Sequence, residues 1–386
     1  MICGGNYQNE TMVPAATSFA ESLQRGELAL KIAREIDQRS GEAYSLFQLG
    51  VCLGSRGEYA RALELAKLSI EIAEEIEHRQ WMAGGHWALG ALYLDLLSFH
   101  VANEHLKQSL ALAHEIGSRN WIHIATGSLA STNIIQGDLM RAESILNAET
   151  SANTPTQTVG QRMVWCARAE LALARGNAEL ALDITDRLIA SAANVSAQHG
   201  IARLSKLRGE ALAALHHEAE AETELRTAQE IATVQGARPL LWRICVTLGN
   251  LYRVQSRREE AESAFSTASM IIEELAASIP DGYVQEDFLR QATAVLPRTH
   301  SLFSPPLTLR RAAKQTFGGL TQREREVAVL IARGKANRVI ADELVVSYRT
   351  VETHVGAILS KLGFNSRAQI AVWAVEVGLV KHSELQ

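Results

Sequence analysis

The chain has 386 residues, 47% of them apolar and 21% charged, a balance that excludes wholesale disorder and a length that suggests two or three folded units. The net charge of −5 is unevenly spread: residues 1–279 hold 24 Lys/Arg against 33 Asp/Glu, whereas residues 280–386 hold 14 against 10, so a polyanionic partner is to be sought at the C-terminal end. Cys3, Cys52, Cys166 and Cys245 lie far apart without metal-ligand spacing, and no apolar run reaches membrane-spanning length, so the expected state is cytoplasmic, with reduced thiols, no metal and no membrane.

Residues 1–17 are polar and expected to be a disordered start. From residue 18 a repeat sets in. Small residues recur at Gly50, Gly90, Ala130, Ala169, Gly209 and Gly249, and a second series follows each by 12, at Ala62, Ala102, Ala142, Ala181, Ala221 and Ala261. Two small residues so spaced, each in an apolar-periodic stretch and separated by a polar turn such as Ser55-Arg56-Gly57-Glu58 or Gln136-Gly137-Asp138, are what two antiparallel helices need where their backbones approach. Each second helix carries one apolar stripe; in the first complete repeat it runs Ala62, Leu65, Ala66, Ser69, Ile72, Ala73, Ile76, with Arg61, Glu64, Lys67, Glu71 and Glu75 towards water. Lys31 to Ile36 lies 40 residues before Glu71 to Ile76. The spacing therefore predicts, over 18–279, an all-α solenoid of a half repeat plus six helix pairs, each hairpin burying its apolar face against the next. Its half repeat is expected to leave an apolar edge at Leu23, Leu30 and Ile36. Trp81 and Trp121 read as core more readily than as a ligand groove, and His114-Glu115 and His216-His217-Glu218 lack the second histidine of a metal helix.

At these residues the array resembles the tetratricopeptide repeat, whose small residues match the Gly50/Ala62 series and whose aromatic near the end of the first helix matches Tyr93 and Tyr252. It departs from that family in its period of about 40 and in lacking a closing proline. The resemblance implies a superhelix and says nothing about its ligand; the concave side, built largely from first helices, is expected to hold a peptide, small molecule or partner protein.

Residues 280–317 read as a linker: Pro280-Asp281-Gly282 stops the array, Val284 to Leu296 forms one possible helix through Phe288 and Leu289, and Pro297, Pro305 and Pro306 follow. Over 318–380 the spacing predicts four short helices. Thr321-Gln322-Arg323-Glu324 is a capping box opening a helix with Val327, Leu330 and Ile331 inward and ending at Gly334. A second helix, Asn337 to Leu344, buries Ile340. Val345-Val346-Ser347 turns the chain, and Ser347 is placed to cap a third helix with Val351, Val355, Ile358 and Leu362 on one face, stopped by Gly363. Arg349, Thr350, Glu352, Thr353, Gly356 and Ser360 fall on its other face. A tight turn between a short helix and a longer one with an uncluttered outer face is the geometry that enters a major groove. A fourth helix runs from Ser366 through Ala374 to Val377.

This stretch resembles the LuxR-type helix-turn-helix, through Leu320-Thr321-Gln322-Arg323-Glu324-Arg325-Glu326-Val327, Ile331-Ala332-Arg333-Gly334, Asn337-Arg338, Ile340-Ala341, Thr350-Val351-Glu352-Thr353-His354-Val355, Lys361-Leu362-Gly363 and Ser366-Arg367. The resemblance implies a regulator of transcription rather than an enzyme, with no catalytic residues and no cofactor. Glu352, Thr353 and Gly356 would face bases; Asn337, Ser347, Arg349, Thr350, Lys361 and Arg367 would lie near phosphates; Ala374 and Val377 would form a dimer surface. The implied partners are double-stranded promoter DNA, RNA polymerase and a second copy on DNA. Ala336 and Val339 depart from the family's capping pair, a loss worth about 1 kcal/mol unless Asn337 substitutes. Gly334-Lys335 lacks a phosphate-binding loop around it, yet the architecture is similar to the C-terminal part of the large ATP-binding LuxR regulators, whose ATPase domain precedes the array; the chain is then a short relative or begins late. The alternative reading is a tetratricopeptide-type scaffold with weak or auxiliary DNA binding.

Overall fold

The structure is a computed structural model and describes residues 18–151, 153–192, 200–297, 320, 322–344, 348–364, 366–377 and 379. The disordered start expected at 1–17, linker residues 298–317, Thr321 of the capping box and the Ser347 cap lie outside the described residues. Among the described residues every regular element is a helix. Contacts divide the chain into two units, one ending at His300 and one beginning at Ser301.

The first unit opens with α1 (Phe19–Glu35), started by Ser18, whose hydroxyl accepts from the Glu21 amide. Six helix pairs follow: α2 (Arg39–Gly54) with α3 (Tyr59–Glu75), α4 (Arg79–Asp95) with α5 (Phe99–Glu115), α6 (Arg119–Ile135) with α7 (Leu139–Glu149), α8 (Val159–Ala174) with α9 (Ala178–Ala190), α10 (Ala202–Ala214) with α11 (Glu218–Gln235), and α12 (Arg238–Val254) with α13 (Arg258–Ala277). The small-residue series marks where each pair crosses. A Cβ added at Gly50 would stand 3.0 Å from the Ala62 carbonyl oxygen, and one at Gly209 3.2 Å from that of Ala221; any larger side chain would wedge the hairpin open. Buried hydroxyls tie the same pairs, Ser69 donating to the Ala43 carbonyl and Ser109 to that of Ala83, each at 2.8 Å.

First helices are packed on most sides, with Leu46, Leu49 and Leu53 of α2 almost wholly buried. Second helices bury one stripe; on α3 Ala62, Ala66, Ser69 and Ala73 are inside and Arg61, Glu64, Lys67, Glu71 and Glu75 outside. The tight turn within each pair needs one residue at positive φ: Gly57, Gly137 and Gly176 in three repeats, but Leu97, His216 and Ser256 in the others. The junction of the third and fourth repeats is irregular. α7 stops early at Glu149, Thr158 and Gln161 form a capping box at the start of α8, and the Trp165 indole clips the connecting loop by donating to the Thr154 carbonyl at 2.7 Å.

Two expectations shift, those for the α1 edge and for the linker helix, and the core reading of the two tryptophans stands. The exposed apolar edge of α1 is Leu28, Ile32 and Ile36, because Leu23 and Leu30 turn inward against the core. Trp81 and Trp121 sit in an aromatic cluster with Phe47, Tyr44 and Trp87 rather than along an open groove, the Trp81 indole donating to Ser40 at 3.0 Å. The helix placed in the linker belongs to the array: α14 (Gly282–Ala294) is capped by Asp281, and Phe288 and Ala292 are fully buried in the main core, so the array extends past residue 279.

The early turns also meet the late helices. Arg243 of α12 donates to the Asp95 carboxylate at 3.1 Å, Gln291 of α14 to the Leu97 carbonyl at 2.9 Å, and Ser278 to the Gly57 carbonyl at 2.7 Å. Leu275 packs onto Gly57 and Arg56 onto Gly236. These pairs are 148, 194 and 221 residues apart for the three hydrogen bonds. The superhelical path therefore returns on itself, and repeats one and two touch repeat six and α14.

The second unit has α15 (Gln322–Ala332), α16 (Asn337–Glu343), α17 (Tyr348–Leu362) and α18 (Arg367–Glu376). Val327, Ile331, Ile340, Val351, Ile358, Ile370 and Ala374 form its core. Gly334 and Gly363, at φ +74° and +68°, end α15 and α17, and Ser366 with Gln369 makes the capping box of α18.

Candidate nucleic-acid interface

α17 buries Val351 and Ile358, and this fixes what it offers to solvent. Glu352, Thr353 and Gly356 are exposed, as are Tyr348 and Arg349 at its first turn. The Thr353 hydroxyl donates to the Arg349 carbonyl at 2.9 Å, which uses its one hydrogen and leaves both oxygen lone pairs to accept. A Cβ at Gly356 would meet nothing within 4 Å, so the surface there is low because the residue is small and not because a neighbour crowds it.

The residues assigned to phosphates divide. Arg349 is exposed and Thr350 half-buried. Arg367 is half-buried and bridges two loops, donating to the Asn337 side-chain oxygen and to the Lys335 carbonyl; burial lowers its pKa. Asn337 is thereby turned towards Arg367. Lys361 does something the sequence reading missed: its ammonium bonds both oxygens of Glu324, at 2.6 and 2.7 Å, and that carboxylate is only 6% exposed. The pair ties the end of α17 to the start of α15. Glu324, read as half of a capping box, is thus a buried counter-ion, and Arg323 beside it donates to the Leu344 carbonyl at the end of α16 at 2.5 Å. Arg333 and Arg338 are exposed as well.

The dimer-surface assignment needs correction. Ala374 is 0% exposed and packs inside its own unit, because it shares a helical face with Ile370; Val377 is half-buried. The outward side of α18 carries Ala368 and Val372, and Val372 is 59% exposed. With Phe364, Gln369 and Trp373 they line a shallow, mostly apolar depression.

Within the array, the inner helices bring charges together. The Ser131 hydroxyl donates to Glu170 at 2.6 Å, Arg203 donates to the same carboxylate, and Thr247 donates to Glu210 at 3.0 Å. Burial pushes the Glu170 carboxyl up, but Arg203 and Ser131 outweigh it and hold it below the usual range. Among the described residues no group of three or more His, Cys, Asp or Glu could hold a metal ion, and no helix is long and apolar enough to cross a membrane.

Residues 319–374 match the family of bacterial regulatory proteins of the luxR family. The second unit is a LuxR-type helix-turn-helix. The chain is similar to the transcriptional regulatory protein LiaR of Bacillus subtilis, 51% identical over 55 residues, which is 14% of this chain and 26% of LiaR. It is also similar to the response regulator VraR of Staphylococcus aureus, 34% identical over 89 residues, 22% of this chain and 43% of VraR. The match thus spans less than half of either relative. The array is similar to the crystal structure of a Rap protein complexed with competence and sporulation factor, with a TM-score of 0.54 and 14% identity over 68% of this chain and 72% of that one. At that identity the likeness is one of helical-repeat fold.

Proposed function

We propose that the chain is a sequence-specific, DNA-binding regulator of transcription, with the outer face of α17 read into the major groove of promoter DNA and the array acting as the receptor of a signal. The observation that carries the reading is the pairing of a packed inner face on α17 with an exposed outer face of small and polar groups, Thr353 and Gly356, next to Arg349. The LuxR-type relatives are transcriptional regulators by their own descriptions, which supports the same reading. On this reading Glu352, Thr353 and Gly356 face bases, and Ser347, Arg349 and Thr350 approach phosphates with the exposed Arg333 and Arg338. Asn337 and Arg367 serve mainly to hold one another, and Lys361 to hold Glu324.

A single helix-turn-helix offers few contacts, so two copies bind an inverted repeat, pairing through Ala368 and Val372 of α18. RNA polymerase is then the partner on the promoter. The protein acts by binding, without a catalytic step. Competence and sporulation factor is a partner of the Rap protein; for this chain the corresponding inner surface, with its Glu170, Arg203 and Glu210 groups, is read as the place where a peptide, small molecule or protein is received.

Footprinting of the full-length protein across its own genome tests the reading. Thr353→Ala should change base preference at one position of each half-site by about 1–3 kcal/mol. Arg349→Ala should instead weaken all sites alike and flatten the logarithmic salt slope by about 0.9. A protein that leaves no sequence-dependent footprint would overturn the proposal in favour of a protein scaffold.

A further inference from the structure

Resting on the receptor reading above, we infer that the seam between the early turns and the late helices is a releasable clasp, whose opening carries the array's signal to α14. The seam is unlike the contacts that hold neighbouring repeats together. Those are continuous apolar stripes, whereas the seam is narrower: beside the packing of Leu275 on Gly57 it is held by one ion pair, Asp95 with Arg243, and two bonds onto turn carbonyls, Gln291 to Leu97 and Ser278 to Gly57. Polar bonds of this kind exchange for water at little net cost, so the seam can part while each hairpin stays intact.

One further feature favours release. Asp95 is crowded by surrounding groups, yet its side chain keeps 25% exposure. Its cationic neighbours are Arg243 and Arg203, and Arg203 also serves Glu170 of the inner charged network. A ligand that engages Arg203 or Glu170 therefore competes directly with the charge balance at the seam. α14 is the last described helix before the DNA-binding unit in the chain, and it is one of the two sides of the clasp. The clasp thus joins the inner surface to the end of the array that continues towards the helix-turn-helix.

Hydrogen exchange of the full-length protein, without DNA or added ligand, reads the seam directly. In Arg243→Ala, and in the milder Gln291→Ala, the amides of Arg56 to Glu58 and of Leu96 to Ser98 should exchange about tenfold faster while those of α8 stay as in the wild type. The double exchange Asp95→Arg with Arg243→Asp should bring the rates back towards wild type. Unchanged seam amides in both single variants would overturn the clasp, and so would equal acceleration in α8, which would mark general loosening. DNA occupancy of Gln291→Ala is measured alongside. A change with the preferred site kept supports the coupling, whereas an opened seam with wild-type occupancy overturns it. A wild-type protein that binds no DNA would defeat the proposed function and leave the exchange result standing.

Discussion

Two histidines replace a packed apolar pair in the second repeat. Leu46 and Leu65 of the first repeat lie 40 residues before His86 and His105 and belong to one apolar cluster. His86 and His105 instead face each other through their Nδ1 atoms at 3.0 Å, with the Tyr93 ring stacked on His105. Burial, helped by His105, lowers the His86 pKa to about 4, and burial lowers that of His105, with Lys67 adding to the shift and Glu104 opposing it. Both rings are favoured neutral in the fold, so the unfolded chain takes up more protons. Their contribution is present above the ordinary histidine pKa of 6.5 and is lost as pH falls towards 4. The loss should be about 2 kcal/mol once partial exposure is discounted. Replacing both by leucine, as in the first repeat, should abolish this part of the slope in urea titrations between pH 7 and 4.5; a slope equal to wild type would show that the pair is not its source. A second residue-scale expectation concerns Lys361. Removing it takes two charge-assisted bonds from the buried Glu324 carboxylate, so Lys361→Ala should destabilise the helix-turn-helix unit by about 2 kcal/mol, measured as faster exchange of α15 and α17 amides, whereas Glu324→Leu with Lys361→Met should recover most of the loss.

At the scale of the helix, the turn residues make a graded series. His216 is exposed and sits at φ +63°, where Gly57, Gly137 and Gly176 stand in three other repeats. His216→Gly should therefore raise stability by about 1 kcal/mol, seen as a higher denaturant midpoint; a lower midpoint would mean that the side chain holds the turn. The same change at Leu97 should not help, because that side chain is 7% exposed and part of the core. The register of these helices is legible in the sequence because backbone contact admits only glycine or alanine, and contact recurs once per hairpin. The face of α18 is not legible: Ala368, Ile370, Ala371, Val372, Trp373 and Ala374 leave it apolar all round, and only the position of the core decides that Ala374 is inside and Val372 outside. The Glu324–Lys361 pair was likewise hidden, since 37 residues separate its members and each also fits an ordinary surface role.

For the molecule as a whole, the extent of the array changes how it can be cut. Truncation after Ile279 would leave α14 attached to the DNA-binding unit with Phe288 and Ala292, both fully buried in the array, stripped of their cover. A cut after Pro297 avoids this. If the acidic array restrains the DNA-binding unit, residues 298–386 should occupy the preferred site more fully than the intact chain; equal occupancy would make the array a passive scaffold. What no periodicity could announce is the return of the superhelix onto itself, since contacts between residues 148 to 221 apart involve different positions of different repeats.

That return also governs how the array comes apart. A stack in which each repeat touches only its neighbours unfolds as a row of coupled segments, with the ends fraying first and the middle persisting. Here the first two repeats are bonded to the last, so neither end is free to peel away alone. Once the seam parts, the loop becomes an open row again and its ends are exposed. The array should accordingly come apart in two stages, the seam first and the helices later, and the long-range bonds should make complete refolding slower than that of a neighbour-only stack of the same length.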